Sequence, residues 1–67
     1  MTEARKAEMC REYARCQQNI CSFSAQDEME RLDAEAAQEG LRFEMVNKRA
    51  YQLAHFIGDP VFELVSI

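Results

Sequence analysis

From the first residues to about Ser22, apolar side chains recur every three or four positions. Met9, Tyr13, Cys16, Ile20 and Phe23 are spaced 4, 3, 4 and 3 apart, which places them in one stripe about 80° wide on a helix. The intervening residues are mostly Glu, Ala, Arg, Lys and Gln, good helix formers. The spacing therefore predicts a helix over residues 3–22. Cys10, Ala14 and Cys21 form a weaker stripe beside the main one. Ser22-Phe23-Ser24 interrupts the pattern. Ser24 is a suitable N-cap, with Asp27 placed to reach back, and Asp27 and Glu28 suit the positive end of a helix dipole. A second helix is expected from Ala25 to about Glu39, with Ala25, Met29, Leu32 and Ala36 as its apolar stripe and Gly40 just past its end. Two alanines in that stripe let a neighbouring helix approach closely.

Two patterns compete over the next stretch. Leu41, Phe43 and Met45 alternate with Arg42 and Glu44, as on a half-buried strand. Phe43, Val46, Ala50, Leu53 and Ile57 are spaced 3, 4, 3 and 4, as on a helix. The longer pattern has more matches and favours a third helix over 42–57. The competing reading is a strand at 41–46 followed by a short helix at 48–57 capped by Asn47. On the long helix, Met45 and Phe56 lie roughly 100° from the main seam, so the apolar arc covers about half the circumference. Gly58-Asp59-Pro60 stops any helix. The segment Val61–Ile67 carries five large apolar residues among seven, most of them β-branched or aromatic, and reads as extended chain that needs cover.

Length changes how these elements must be used. Sixty-seven residues allow one domain, here 1–67, and the composition is globular: 48% hydrophobic, 30% charged, with 2 Gly and 1 Pro. No apolar run approaches the roughly 18 residues of a membrane helix, and the opening residues lack the apolar stretch of a secretory signal. A domain this small rarely buries enough apolar surface without disulfides, a metal or self-association. The cysteines number 3, Cys10, Cys16 and Cys21. An odd count without a leader argues against a disulfide framework and for a reducing cytoplasm. On one helix Cys10 and Cys16 point about 120° apart, and Cys10 and Cys21 stand roughly 16 Å apart along the axis, so one metal cannot collect all three. The thiols read as small packing residues, and no metal or other cofactor is expected. Self-association remains. The predicted fold is mainly α: two or three short helices in a hairpin or bundle, completed by homodimerisation, with an extended C-terminal segment. Met45, Phe56, Phe62 and Leu64 are the candidate dimer-interface residues.

Charge narrows the partners. The net charge is −4, with residues 1–23 at +1, residues 24–40 at −5 and the remainder neutral. An acidic second helix with no basic stripe is a poor footprint for nucleic acid. The glycines, Gly40 and Gly58, both fall at helix ends, so no phosphate loop is present. No nucleophile–base pair with an orienting acid can be assembled around His55, the only histidine, and so short a chain leaves little room for a walled pocket. The chain is not expected to be an enzyme. Its candidate binding residues are Arg11 and Arg15, four apart on helix one, and Tyr51 and His55, four apart on helix three. These expectations converge on a small regulatory protein, an inhibitor or adaptor, that binds a host protein through helical surfaces. The alternative is a dimer cleft that captures an anionic, nucleotide-like ligand with those four residues. Six arginines against two lysines fit a GC-rich bacterial or phage genome.

Overall fold

The computed structural model describes residues 1–67. The chain order is α1 (Glu3–Gln18), α2 (Phe23–Gln38), β1 (Leu41–Met45), α3 (Lys48–Leu53) and β2 (Phe62–Ser66). The chain is mainly helical, but a two-stranded antiparallel sheet lies across the α1–α2 hairpin.

Helix α1 begins where the Thr2 hydroxyl accepts from the Arg5 N–H at 3.1 Å, which satisfies one of the free donors of the first turn. It ends earlier than the periodicity suggests. The Asn19 side-chain amide donates to the Arg15 carbonyl at 2.9 Å and the chain turns there. Ile20 and Phe23 consequently leave the seam and are exposed, while Met9 and Cys16 stay buried. Helix α2 starts at Phe23 and not after Ser24: Gln26 N–H already bonds to the Ser22 carbonyl at 3.1 Å. Ser22 occupies the cap position without a side-chain cap bond, its hydroxyl lying 3.0 Å from that of Ser24. At the other end Gly40 adopts φ 71° and donates to the Ala37 carbonyl at 3.0 Å. A left-handed residue just past the helix is what a glycine there supplies without steric cost.

The long third helix does not form. Residues 41–45 are strand, and the helix is confined to Lys48–Leu53. The strand wins because β2 supplies main-chain partners. Leu41 pairs with Ser66, Phe43 with Leu64 and Met45 with Phe62, all on the inner face. Arg42 faces Val65, and Glu44 faces Glu63, on the outer one. The ladder continues through Val46 N–H to the Val61 carbonyl at 2.7 Å and Ile67 N–H to the Gly40 carbonyl at 3.0 Å. The C-terminal segment is thus covered by its own chain, with Phe62 and Leu64 half-buried.

Met9, Leu32 and Ala36 form the dry centre, with Tyr13, Leu41, Phe43 and Leu64 packed around it. The Tyr13 ring stacks on Phe43 with centroids 3.9 Å apart and meets Phe62 edge-on at 4.8 Å. Each such pair adds about 0.5–1.5 kcal/mol beyond burial. Charged pairs tie the helices together at the surface. The Arg5 guanidinium grips Glu35 through two bonds of 2.9 and 2.7 Å and also meets Glu8. Arg15 reaches Glu28 at 3.3 Å, and the Tyr13 hydroxyl donates to Asp33 at 3.3 Å. Glu28, Asp33 and Glu35, three of the five acidic residues on α2, therefore engage α1.

Candidate functional site

The connection from β1 to β2 is the least enclosed part of the chain, and its shape is set by two devices. The first is the Asn47 side chain. Its amide N–H donates to the Asp59 carbonyl at 3.0 Å, and its carbonyl oxygen accepts from the Val61 N–H at 2.9 Å. Asn47 occupies the cap position of α3, its main-chain carbonyl accepting from the Tyr51 N–H at 2.9 Å, while its side chain makes no cap bond and serves as one more rung joining the two strands. Gln18, at the end of α1, adds bonds to the Gly58 carbonyl at 3.1 Å and the Asp59 carboxylate at 2.9 Å.

The second device closes α3. Phe56 N–H bonds to the Tyr51 carbonyl at 2.9 Å, and His55 N–H to the Gln52 carbonyl at 3.0 Å. These are the two bonds of a Schellman motif, and the accompanying apolar contact is present, the Phe56 ring meeting Tyr51 edge-on at 5.6 Å. The motif needs left-handed backbone just past the helix, where glycine is usual. Here His55 has φ 56° and Phe56 φ 63°, so two side-chain-bearing residues hold a conformation that disfavours a Cβ.

The consequence is an exposed apolar turn. Leu53, Phe56 and Ile57 are 73%, 64% and 75% exposed. Ile20 shares a hollow with Phe56, Tyr51 and Gly58, and Val46 and Val61, bonded to each other, are also exposed. Beside this turn a groove of about 390 Å³ runs between β1 and α3, lined by Phe43, Met45, Tyr51 and Phe56 with Arg42 and Lys48.

The four candidate binding residues do not share a cavity. Arg11 is exposed beside Cys10, Pro60 and Phe62. Arg15 lies in a different hollow, paired with Glu28. Tyr51 is buried and lines the β1–α3 groove. His55 is exposed and lines none of the cavities. Of the candidate interface residues, Phe62 and Leu64 pack on the chain's own Tyr13 and dry centre. Met45 is half-buried, and Phe56 stands in water. Helical periodicity puts Leu53 and Ile57 in a buried seam, and the structure puts them at the surface. The signal that locates them correctly is the alternating segment LRFEM together with the β-branched and aromatic run VFELV, which marks two paired strands and leaves 46–60 as their connection.

All three cysteines are free thiols. Burial pushes the Cys16 thiol up, with the Glu28 charge adding to it. Burial also raises Cys10, helped by Glu63 and opposed by the Leu64 N–H. Both shifts disfavour the thiolate, the nucleophilic form of the side chain. No three His, Cys, Asp or Glu side chains are grouped to hold a metal ion, and no helix is long and apolar enough to cross a membrane. No protein-family model matches the chain, and neither a curated protein nor a solved structure does.

Proposed function

We propose that this chain is a small non-enzymatic regulatory protein, an inhibitor or adaptor, that binds a host protein through the turn closing α3. The observation that carries this reading is the exposure of Leu53, Phe56 and Ile57 together within five residues. Scattered apolar residues are ordinary on a surface, but a contiguous group is the usual mark of a contact site. The Schellman bonds hold these side chains on a defined backbone, which lowers the ordering cost of binding. The acting unit in this reading is a homodimer in a reducing cytoplasm, where the three thiols stay unpaired.

The test compares two immobilised baits, the wild-type chain and a Leu53→Lys/Ile57→Lys variant, in lysate of the native host. A protein retained in stoichiometric amount by the wild type and lost from the variant supports the reading. Equal retention by both baits, or none by either, counts against it. Leu53 and Ile57 are exposed, so the variant keeps the fold and reports on the surface alone.

A further inference from the structure

The two edges of the sheet are not equivalent. Val46 donates to Val61 and Gly40 accepts from Ile67, so residues 40, 42, 44 and 46 turn their main-chain groups toward β2. By the alternation of an antiparallel ladder, Leu41, Phe43 and Met45 turn theirs outward. No hydrogen bond from another element reaches those three residues. The corresponding edge of β2 runs beside α1: Lys6, Ala7 and Cys10 share a hollow with Phe62, Glu63 and Leu64, and the Leu64 N–H meets the Cys10 sulfur. The edge of β1 borders the open groove beside α3. It carries no proline and no bulge, two of the devices that blunt an exposed edge, and its two charges are of opposite sign.

The sequence of this edge is self-complementary. Leu41-Arg42-Phe43-Glu44-Met45 reads apolar, positive, apolar, negative, apolar. Turned end for end about Phe43, it sets Arg42 of one copy opposite Glu44 of the other, twice, and Leu41 opposite Met45, twice. The outward parity of Leu41, Phe43 and Met45 makes these three the hydrogen-bonded pairs. Arg42 and Glu44 then fall at the narrow pairs, where Cα atoms are about 4.5 Å apart and side chains are closest. No other register centred within the strand joins both charges to their opposites. Within a single chain Glu44 faces Glu63, a like-charge pair that its own contact with Arg42, at 4.0 Å and exposed, offsets only weakly and that an arginine from outside would relieve.

We propose that a second copy of this chain pairs its β1 with this β1, antiparallel about a twofold axis at Phe43, joining the two sheets into one of four strands. The apolar inner faces then run continuously over both helical hairpins, and the open edge of each copy disappears. The pairing rests on the homodimer reading alone, so its failure leaves the apolar turn as a protein-binding site untouched.

The test uses the full chain and two charge reversals, R42E and E44R. Sedimentation velocity at tens of micromolar and low salt reads the assembly, and amide exchange by NMR reads the edge. Wild type is expected to be a dimer with slowly exchanging Phe43 and Met45 amides. R42E sets carboxylate against carboxylate at both narrow pairs, and E44R sets guanidinium against guanidinium. Each is expected to weaken dimerisation about 10- to 100-fold and to release the Phe43 and Met45 amides. The Arg42-position and Glu44-position amides, bonded to β2, stay slow and report that the hairpin is intact. An equimolar mixture of the two variants restores complementarity and is expected to dimerise again. If R42E does not fold, E44R decides alone, because it removes the Glu44–Glu63 repulsion within the chain and is expected to be folded but monomeric. Wild type sedimenting as a monomer overturns both the pairing and the homodimer reading. Single variants that remain as dimeric as wild type, or a wild-type dimer with fast Phe43 and Met45 exchange, keep the homodimer and overturn this interface. Protection of the Phe43 amide that appears only when a different protein is added would assign the edge to a foreign strand and also overturn it.

Discussion

Met9, Leu32 and Ala36 are sealed where α1, α2 and the Leu41–Phe43 stretch of β1 meet, whereas Leu53, Phe56 and Ile57, no less apolar, stand in water at the turn after α3. Both groups come from stretches whose apolar residues recur every three or four positions. The difference lies in what each has to pack against. At the helical hairpin, alanines at 25 and 36 allow α2 to approach α1, and the sheet closes the third side. At the turn, α3 is only six residues long, buries Tyr51 alone and meets only the last residues of α1, Gln17 and Gln18. Apolar character in a chain this short is therefore a demand for cover that only some residues have met within the monomer.

Removing the sheet should have the largest effect on the sealed region. Deletion of residues 61–67 strips β1 of its main-chain partners and uncovers Tyr13 and Phe43. Loss of the half-buried Phe62 and Leu64 alone forfeits roughly 1.5–3 kcal/mol of burial, a large share of the stability of so small a domain. The truncated chain is expected to show no cooperative melt by circular dichroism. A transition like that of the full chain would show that the helical hairpin carries the fold unaided.

Next in size is Met9→Ala, which empties a fully buried site and should cost about 2–4 kcal/mol in urea unfolding. The same truncation at the other region, Leu53→Ala, should lie within about 0.5 kcal/mol of wild type. Similar costs for the two would mean that the turn is buried in solution, as it would be by a partner or a second copy.

Alkaline pH probes the sealed region through Tyr13. Burial, and then the Asp33 charge and hydrogen bond, push the Tyr13 phenol up to about 12. A phenol with a raised folded-state value favours folding fully below its unfolded value of about 10, and that contribution is lost as pH rises to about 12. Denaturation midpoints are expected to hold up to about pH 10 and then fall. Tyr13→Phe keeps the stacking on Phe43 and should flatten that fall. An unchanged alkaline limb in the variant would assign it to other groups.

The smallest expected effect is a gain, at the turn. His55→Gly places glycine at a left-handed position and should stabilise by about 1 kcal/mol, with His55→Asn in between. A loss in thermal melts would show that the histidine side chain contributes to the motif.

Much of the fold was legible along the chain. The helical hairpin follows from the Met9–Tyr13–Cys16 and Ala25–Leu32–Ala36 stripes, and Gly40 marks the end of α2. The cover needed by Val61–Ile67 was equally plain. These are local matters of periodicity, capping and chain stiffness, and they act over one or two turns. Helix boundaries slipped where a side chain intervened, as Asn19 does by bonding to the Arg15 carbonyl.

The state of residues 41–57 was a nonlocal matter. LRFEM fits a strand when read alone and fits a helix when read together with residues 46–57. The difference in intrinsic preference is small beside the hydrogen bonds that β2 supplies from about twenty residues away. The candidate site shared that fate. Arg11 and Arg15 stay four apart on α1, whereas Tyr51 is buried against the β1–α3 groove and His55, left beyond the end of the shortened α3, is exposed, so the four do not converge on one site. The exposed turn and the open edge of β1 exist because the chain ran out of elements to cover them. That is a property of how the pieces are assembled in three dimensions, and no single segment carries it.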